Sequence, residues 1–277
     1  MASARVQHAD SSKGWEASID LAFRRRGGRT VLAEKRQHGP LAVQRTFHPE
    51  GDVCHLYLLH PPGGVAGGDN LQVRVTTHPE SRALITTPGA TKFYRSMGPT
   101  AHQSQQLHLA GGSLEWLPQE NIYFPGARVQ IRTEIHLADG ANYIGWEMHC
   151  FGRPVIDERF EHGRLVIRTT LTRDGKPLLL DRLVVDGEQS LDGKATLNGH
   201  PVVAMFTASG ADSKVLEAAR AIAAGPDIGI TMMTEVLVCR YLGDSTEDAR
   251  KHFIRIWQAI RPLLTQRPAT LPRIWAT

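Results

Sequence analysis

Residues 127–149 read "ARVQIRTEIHLADGANYIGWEMH". The first half alternates: Val129, Ile131, Ile135 and Leu137 fall on one side of an extended chain, and Arg128, Gln130, Arg132, Glu134 and His136 on the other. That is the period of a strand with one buried face. "ADG" then makes a turn, and a second extended run follows with little polarity except Glu147 and His149. The same grammar spreads outward in both directions. "WEASIDLAF", "TVLAEKRQ", "LAVQRTF", "LQVRVTT" and "RLVIRTTL" alternate or nearly so, each bounded by Gly, Pro or Asp.

The turns recur. "HPEG" begins at His48, "HPES" at His78, "AGG" at Ala110, "ADG" at Ala138 and "RDG" at Arg173, about 30 residues apart. "GGSLEWLPQ" and "DGANYIGWEMH" each place a tryptophan shortly after the turn. Two strands per unit predict a mainly β protein with a stacked, solenoid-like β body; a sandwich of meandering strands is the alternative.

The pattern changes near residue 211. "SKVLEAARAIAAG" has near-helical apolar spacing, with Ser213 as the expected cap and Gly225-Pro226 as the stop. "STEDARKHFIRIWQAIRP" is a stronger helix: Ser245 and Asp248 stand as in a capping box, and Ala249, Phe253, Ile256, Trp257 and Ile260 form one stripe. "TMMTEVLVCRYL" between them reads as strand. The expectation is one domain over 1–277, with a β-rich body at about 13–210 and an α/β part with two helices at about 211–277, the helices packed on the body.

Composition excludes several classes. With 41% hydrophobic and 22% charged residues the chain suits a soluble globular fold. No apolar run reaches the roughly 18 residues that span a bilayer, and the polar start "MASARVQHADSSKGW" lacks a signal-peptide core, so a cytoplasmic protein without membrane attachment is expected. Three widely spaced cysteines make neither a disulfide framework nor a CxxC zinc site. A net charge of +4 with "FRRRGGR" as the only basic cluster argues against a nucleic-acid partner.

The glycine-rich loop "HPPGGVAGGDN" (60–70) is not a phosphate cradle. It fits neither GxxxxGK[ST] nor GxGxxG, and a strand follows it rather than a helix N-terminus. Asp69 closes it, either as a backbone-capping carboxylate or as an acid presented by a rigid loop. "ITTPGATKFYRSMG" (85–98) is dense in hydroxyls and cations on a loop, which favours interaction over packing. Glu115, Glu120, Glu147 and Asp181 are acids inside apolar runs. A buried carboxylate is costly unless paired, hydrogen-bonded, metal-bound or wet. Each can be a partner for a nearby Arg, such as Arg182 beside Asp181, or together they can line a polar passage. His149-Cys150 is either a soft-metal pair or a buried structural pair. HExxH and GxSxG are absent.

Taken together, "KGWEASIDL" (13–21), "CHLYLLHPPGGVAGGD" (54–69), "TTPGATKFYRS" (86–96), "LEWLPQENIYFPGA" (114–127), "RPVIDERF" (153–160) and "LPRIW" (271–275) resemble the urease accessory protein D family, UreD or UreH. The resemblance covers nearly the whole chain in order, with nothing specific over 185–225. It implies a non-catalytic nickel-insertion chaperone with no tightly bound cofactor. Its partners would be apo-urease, accessory protein F directly, and through it the GTPase accessory protein G. It also implies a polar tunnel for transient Ni²⁺, which places tunnel residues at Asp69, Thr91, Glu147 and Asp181, and beside them Glu115 and Glu120. Scattered oxygen ligands suit such a conduit, since a Cys/His cage would trap the ion. A structural adaptor that never touches nickel is the rival, and a solenoid enzyme using paired acids and an Arg is a third reading.

Overall fold

The computed structural model describes residues 14–276 except residue 224. Lys13 and the polar start of the chain lie outside the described residues. The chain begins with a hairpin of β1 (Glu16–Arg26) and β2 (Arg29–His38) in one sheet. It crosses to a second sheet at β3 (Ala42–Val43) and β4 (Cys54–Leu59), passes the short strand β5 (Gly64–Val65), and returns to the first as β6 (Asn70–Thr77). This circuit then repeats. β7 (Arg82–Thr86) lies in the second sheet, β8 (Thr91–Phe93) in a short third ladder, and β9 (Ala101–Leu109) in the first. β10 (Ser113–Leu117), β11 (Asn121–Tyr123) and β12 (Arg128–Leu137) trace the next coil. β13 (Asn142–Arg153) is long enough to serve both the second sheet and the third ladder; β14 (Glu158–Arg159) and β15 (Arg164–Arg173) follow.

Neighbouring coils pair in parallel: β6, β9, β12 and β15 in the first sheet, β4, β7, β10 and β13 in the second, and β5, β8, β11 and β13 in the third ladder. The expected solenoid is therefore present. The turns beginning at His78, Ala110 and Ala138 carry the chain from the first sheet to the second. The "RDG" turn at Arg173 does not; it closes an antiparallel hairpin to β16 (Lys176–Asp186), which ends the coil. Nor do the tryptophans repeat. Trp116 lies between the sheets, whereas Trp146 points to the other face of the second sheet.

After β16 come the helix α1 (Gly187–Asp192) and the strand β17 (Val202–Ser209), which joins β13 antiparallel. The six residues of α1 are too few to show a period, so the sequence predicts no helix there. Helix α2 (Ser213–Ile222) is capped by Asp212, whose side chain accepts from the Val215 N–H at 3.0 Å, one residue before the expected Ser213. "TMMTEVLVCRYL" is not one strand but a hairpin, β18 (Ile228–Met233) and β19 (Val236–Gly243), turning at Thr234 with φ +56°. Helix α3 (Thr246–Thr265) is capped by Ser245 and buries the whole predicted stripe together with Arg261.

The result has three layers. The first sheet runs β16-β15-β12-β9-β6-β1-β2, the second β18-β19-β17-β13-β10-β7-β4-β3, and α2 and α3 cover the second sheet's outer face. One apolar core fills the space between the sheets, another the space beneath the helices. β13 is buried on both faces, which is why it reads almost continuously apolar: Tyr143 and Phe151 enter the first core, and Ile144, Trp146, Met148 and Cys150 the second.

Candidate functional site

Within that double burial, β13 turns Glu147 towards the first sheet. There the alternation of β12 and β15 brings Thr133 and Thr169 inward, where valine or isoleucine would be usual, and these two residues are paired across the sheet. Both hydroxyls donate to Glu147, Thr133 at 2.5 Å and Thr169 at 2.8 Å. The Gln105 side chain of β9 lies 3.1 Å from the same Thr133 oxygen. Behind the acid, His149 Nε2 lies 3.8 Å from its carboxylate. Burial keeps the Tyr123 phenol protonated, so its O–H donates to His149 Nδ1 at 2.8 Å and leaves the ring proton on Nε2, facing Glu147. Burial alone would push the Glu147 carboxyl up. The Nε2–H of His149 turned towards the carboxylate, with the two threonine hydroxyls, outweighs it and holds the group below its ordinary value. Glu147 is thus an ionised carboxylate fixed between two sheets.

The acid faces a cavity of about 230 Å³. One water needs only about 15 Å³, so the space admits a file of waters or a hydrated ion. Its walls include Thr91, Gln103, Gln105, Gln119, Asn121 and Glu147 among apolar residues. Its outer rim is made by the exposed turn residues Gly63, Pro88 and Gly89, with His60 and Thr91 beside them. Beyond Glu147 the polar line continues through paired side chains. Thr169 stands opposite Asp181 on β16, and Glu147 is aligned through Met205 with Arg240 on β19. Arg240 and Asp181 meet at 2.6 Å at the partly open edge of the sandwich.

The sequence-predicted residues separate by this geometry. Thr91 and Glu147 line one cavity, and Asp181 lies at the far end of the same polar line, paired with Arg240 rather than with Arg182. Arg182 follows Asp181 directly on a strand and so points to the opposite face. Asp69 caps backbone: Oδ1 accepts from the Trp15 N–H and Oδ2 from the Ala66 N–H, both at 2.8 Å. The glycine loop is shaped by close approach, because a Cβ on Gly64 would enter the Tyr94 ring and one on Gly67 would meet Ser96. Glu120 is half-buried before β11, where its carbonyl accepts from the Thr91 N–H.

Glu115 belongs elsewhere. It points from β10 into the helical layer, where Trp257 Nε1 donates to it at 2.6 Å and Arg261 Nε at 2.9 Å. Arg261 also donates to Glu50 at 2.7 Å, and Glu50 meets His55 Nε2 at 2.6 Å. This closed cluster fastens α3 to the solenoid. His149 and Cys150 face opposite sides of β13 and do not form a metal pair. Among the described residues no group of three or more His, Cys, Asp or Glu is placed to hold a metal ion, and no helix is long and apolar enough to cross a membrane. Thr133, Thr169, Gln105 and Tyr123 escaped the sequence reading; the one available signal was a threonine at an inward position of two alternating strands.

The family model described as UreD urease accessory protein matches residues 16–276. Curated relatives named urease accessory protein UreD are similar over nearly their full length. The Alcanivorax borkumensis protein is 47% identical over 274 residues, covering 96% of this chain and 93% of that one. That of Citrobacter koseri is 45% identical, covering 98% and 95%, and that of Pseudomonas putida strain W619 44%, covering 99% and 98%. The solenoid with its polar line is therefore the fold of a family member: this chain belongs to the UreD urease accessory protein family.

Proposed function

We propose that this protein serves urease maturation as a non-catalytic accessory factor in the cytoplasm, passing Ni²⁺ towards apo-urease along the line from Thr91 to Glu147 and on to Asp181. The observation that supports this most is the ionised Glu147 on the wall of a cavity large enough for a file of waters, between two largely apolar sheet faces. Its two hydroxyl donors and single carboxylate bind a divalent ion without caging it, as a conduit requires. Accessory protein F is the direct partner in this reading, and the GTPase accessory protein G is recruited through it. The non-catalytic reading is supported by the buried constellation of paired acids with an arginine among the described residues, Glu50, Glu115 and Arg261, being sealed beneath α3: the Arg261 side chain is 1% exposed.

The test compares Thr91→Lys and Glu147→Gln with wild type in co-expressed urease maturation complexes, reading assembly and urease nickel from the same samples. Intact complexes with nickel-poor urease are expected. Intact complexes with fully loaded urease would leave the rival, an adaptor that never touches the metal.

A further inference from the structure

A passage lined by oxygen alone has a selectivity problem. Hydroxyl, amide and carboxylate oxygens suit Mg²⁺ and other hard ions at least as well as Ni²⁺, whereas imidazole favours the later first-row metals. The polar side chains on the cavity wall are almost all of the first kind: Thr87, Thr91, Gln103, Gln105, Gln119, Asn121 and Glu147. The one histidine on it is His60.

His60 is placed for a ligand's role. It follows β4 and begins the stiff Pro61-Pro62 turn, where the Gly63 N–H donates to its carbonyl at 2.9 Å. Its Nδ1 is enclosed and has no hydrogen-bond partner, and the same holds for Gln103 Oε1 and for the donor Trp116 Nε1 on the same cavity wall. Buried polar atoms are rarely left so, and three on one wall point to a hydrated visitor, of which His60 Nδ1 and Gln103 Oε1 can hold the ion and Trp116 Nε1 a water. Burial lowers the His60 imidazole, against the opposing charge of Asp69, so the ring stays neutral with a lone pair to offer. The two fully buried histidines each commit at least one ring nitrogen to a protein partner away from the cavity wall. His149 is held by Tyr123 and faces Glu147, and His55 is bound to Glu50 beneath α3.

We propose that His60 is a transient Ni²⁺ ligand at the cavity mouth, assisted by the Gln103 carbonyl oxygen, and that this imidazole makes the passage prefer Ni²⁺ over Mg²⁺. The assignment rests on the conduit reading and adds its selectivity step.

The test is equilibrium dialysis of the full chain against NiCl₂ and against MgCl₂, for wild type, His60→Ala and His60→Asp, with circular dichroism to establish folding. His60→Ala should weaken Ni²⁺ binding at least about tenfold, since even the loss of a residue that merely supports a ligand costs that much. Mg²⁺ binding should be unchanged. His60→Asp should retain binding but lose the Ni²⁺ preference, and it supplies the answer if the alanine variant does not fold. Unchanged Ni²⁺ affinity in His60→Ala, or a wild-type Ni²⁺ to Mg²⁺ ratio in His60→Asp, overturns the assignment. Failure here with nickel-poor urease in Glu147→Gln would remove His60 alone; fully loaded urease in both Thr91→Lys and Glu147→Gln would remove the conduit itself.

Discussion

Replacing Arg261 by alanine should be among the most damaging single changes in the molecule. The guanidinium donates to Glu115 through Nε at 2.9 Å and Nη2 at 2.8 Å, to Glu50 through Nη1 at 2.7 Å and Nη2 at 3.0 Å, and to the Pro268 carbonyl. The side chains of Arg261, Glu50 and Glu115 are 1%, 6% and 3% exposed, so water does not replace what is lost. After truncation Glu50 keeps only His55, and Glu115 only the Trp257 N–H. Leaving buried carboxylates without their cation costs about 3–5 kcal/mol. At roughly 2–4 °C per kcal/mol for a chain of this size, the melting temperature should fall by about 10 °C. Circular dichroism melts of the purified chain measure it. The double variant Arg261→Met with Glu115→Met removes a stranded charge and fills the space, so it should recover a large part of the loss. A drop under about 1 kcal/mol in Arg261→Ala would refute the claim that the cluster is sealed and fastens α3.

Glu50 and Glu147 both titrate below their ordinary 4.5 in the folded chain, so their stabilisation is present above that value and lost as pH falls through the lowered one. Urea midpoints should hold down to about pH 5 and decline below it; an unchanged midpoint at pH 3.5 would contradict this. Gly64→Ala should destabilise by about 1–3 kcal/mol, because the new methyl enters the Tyr94 ring; a neutral result in urea titration would show that Tyr94 swings aside freely. The thiols of Cys54, Cys150 and Cys239 are buried and pushed up to about 12, so a disulfide reagent at pH 8 should leave all three unmodified in the native chain and react with all three in denaturant. Rapid native labelling of any of them would contradict their burial.

What could be read from the sequence was local. Strand alternation, the Gly/Pro/Asp corners and the stripe and cap of α3 are encoded within a few residues, and the roughly 30-residue recurrence exposed the coil. What could not be read depends on distance. Nothing near Glu115 announces that its partner is Arg261 on a helix at the other end of the chain. The β18–β19 turn at Thr234-Glu235 carries no glycine or asparagine, so the hairpin read as one strand. Thr133 and Thr169 acquire meaning only when the coil stacks β12 on β15 and sets both before Glu147. The carboxylate itself was visible, as a lone acid in an apolar strand.

The outer margins of the two sheets differ in how they resist self-association. β2, at the margin of the first sheet, carries exposed Glu34, Lys35 and Arg36 along its length, a charged fringe that repels a second strand. β18, at the margin of the second, is "IGITMM" without a charge, and Arg220 of α2 reaches only its Ile230 carbonyl. Met233 and Ile222 are exposed nearby. When the chain is produced at high concentration, that bare margin is where strands from different molecules would first join, and where aggregation would start.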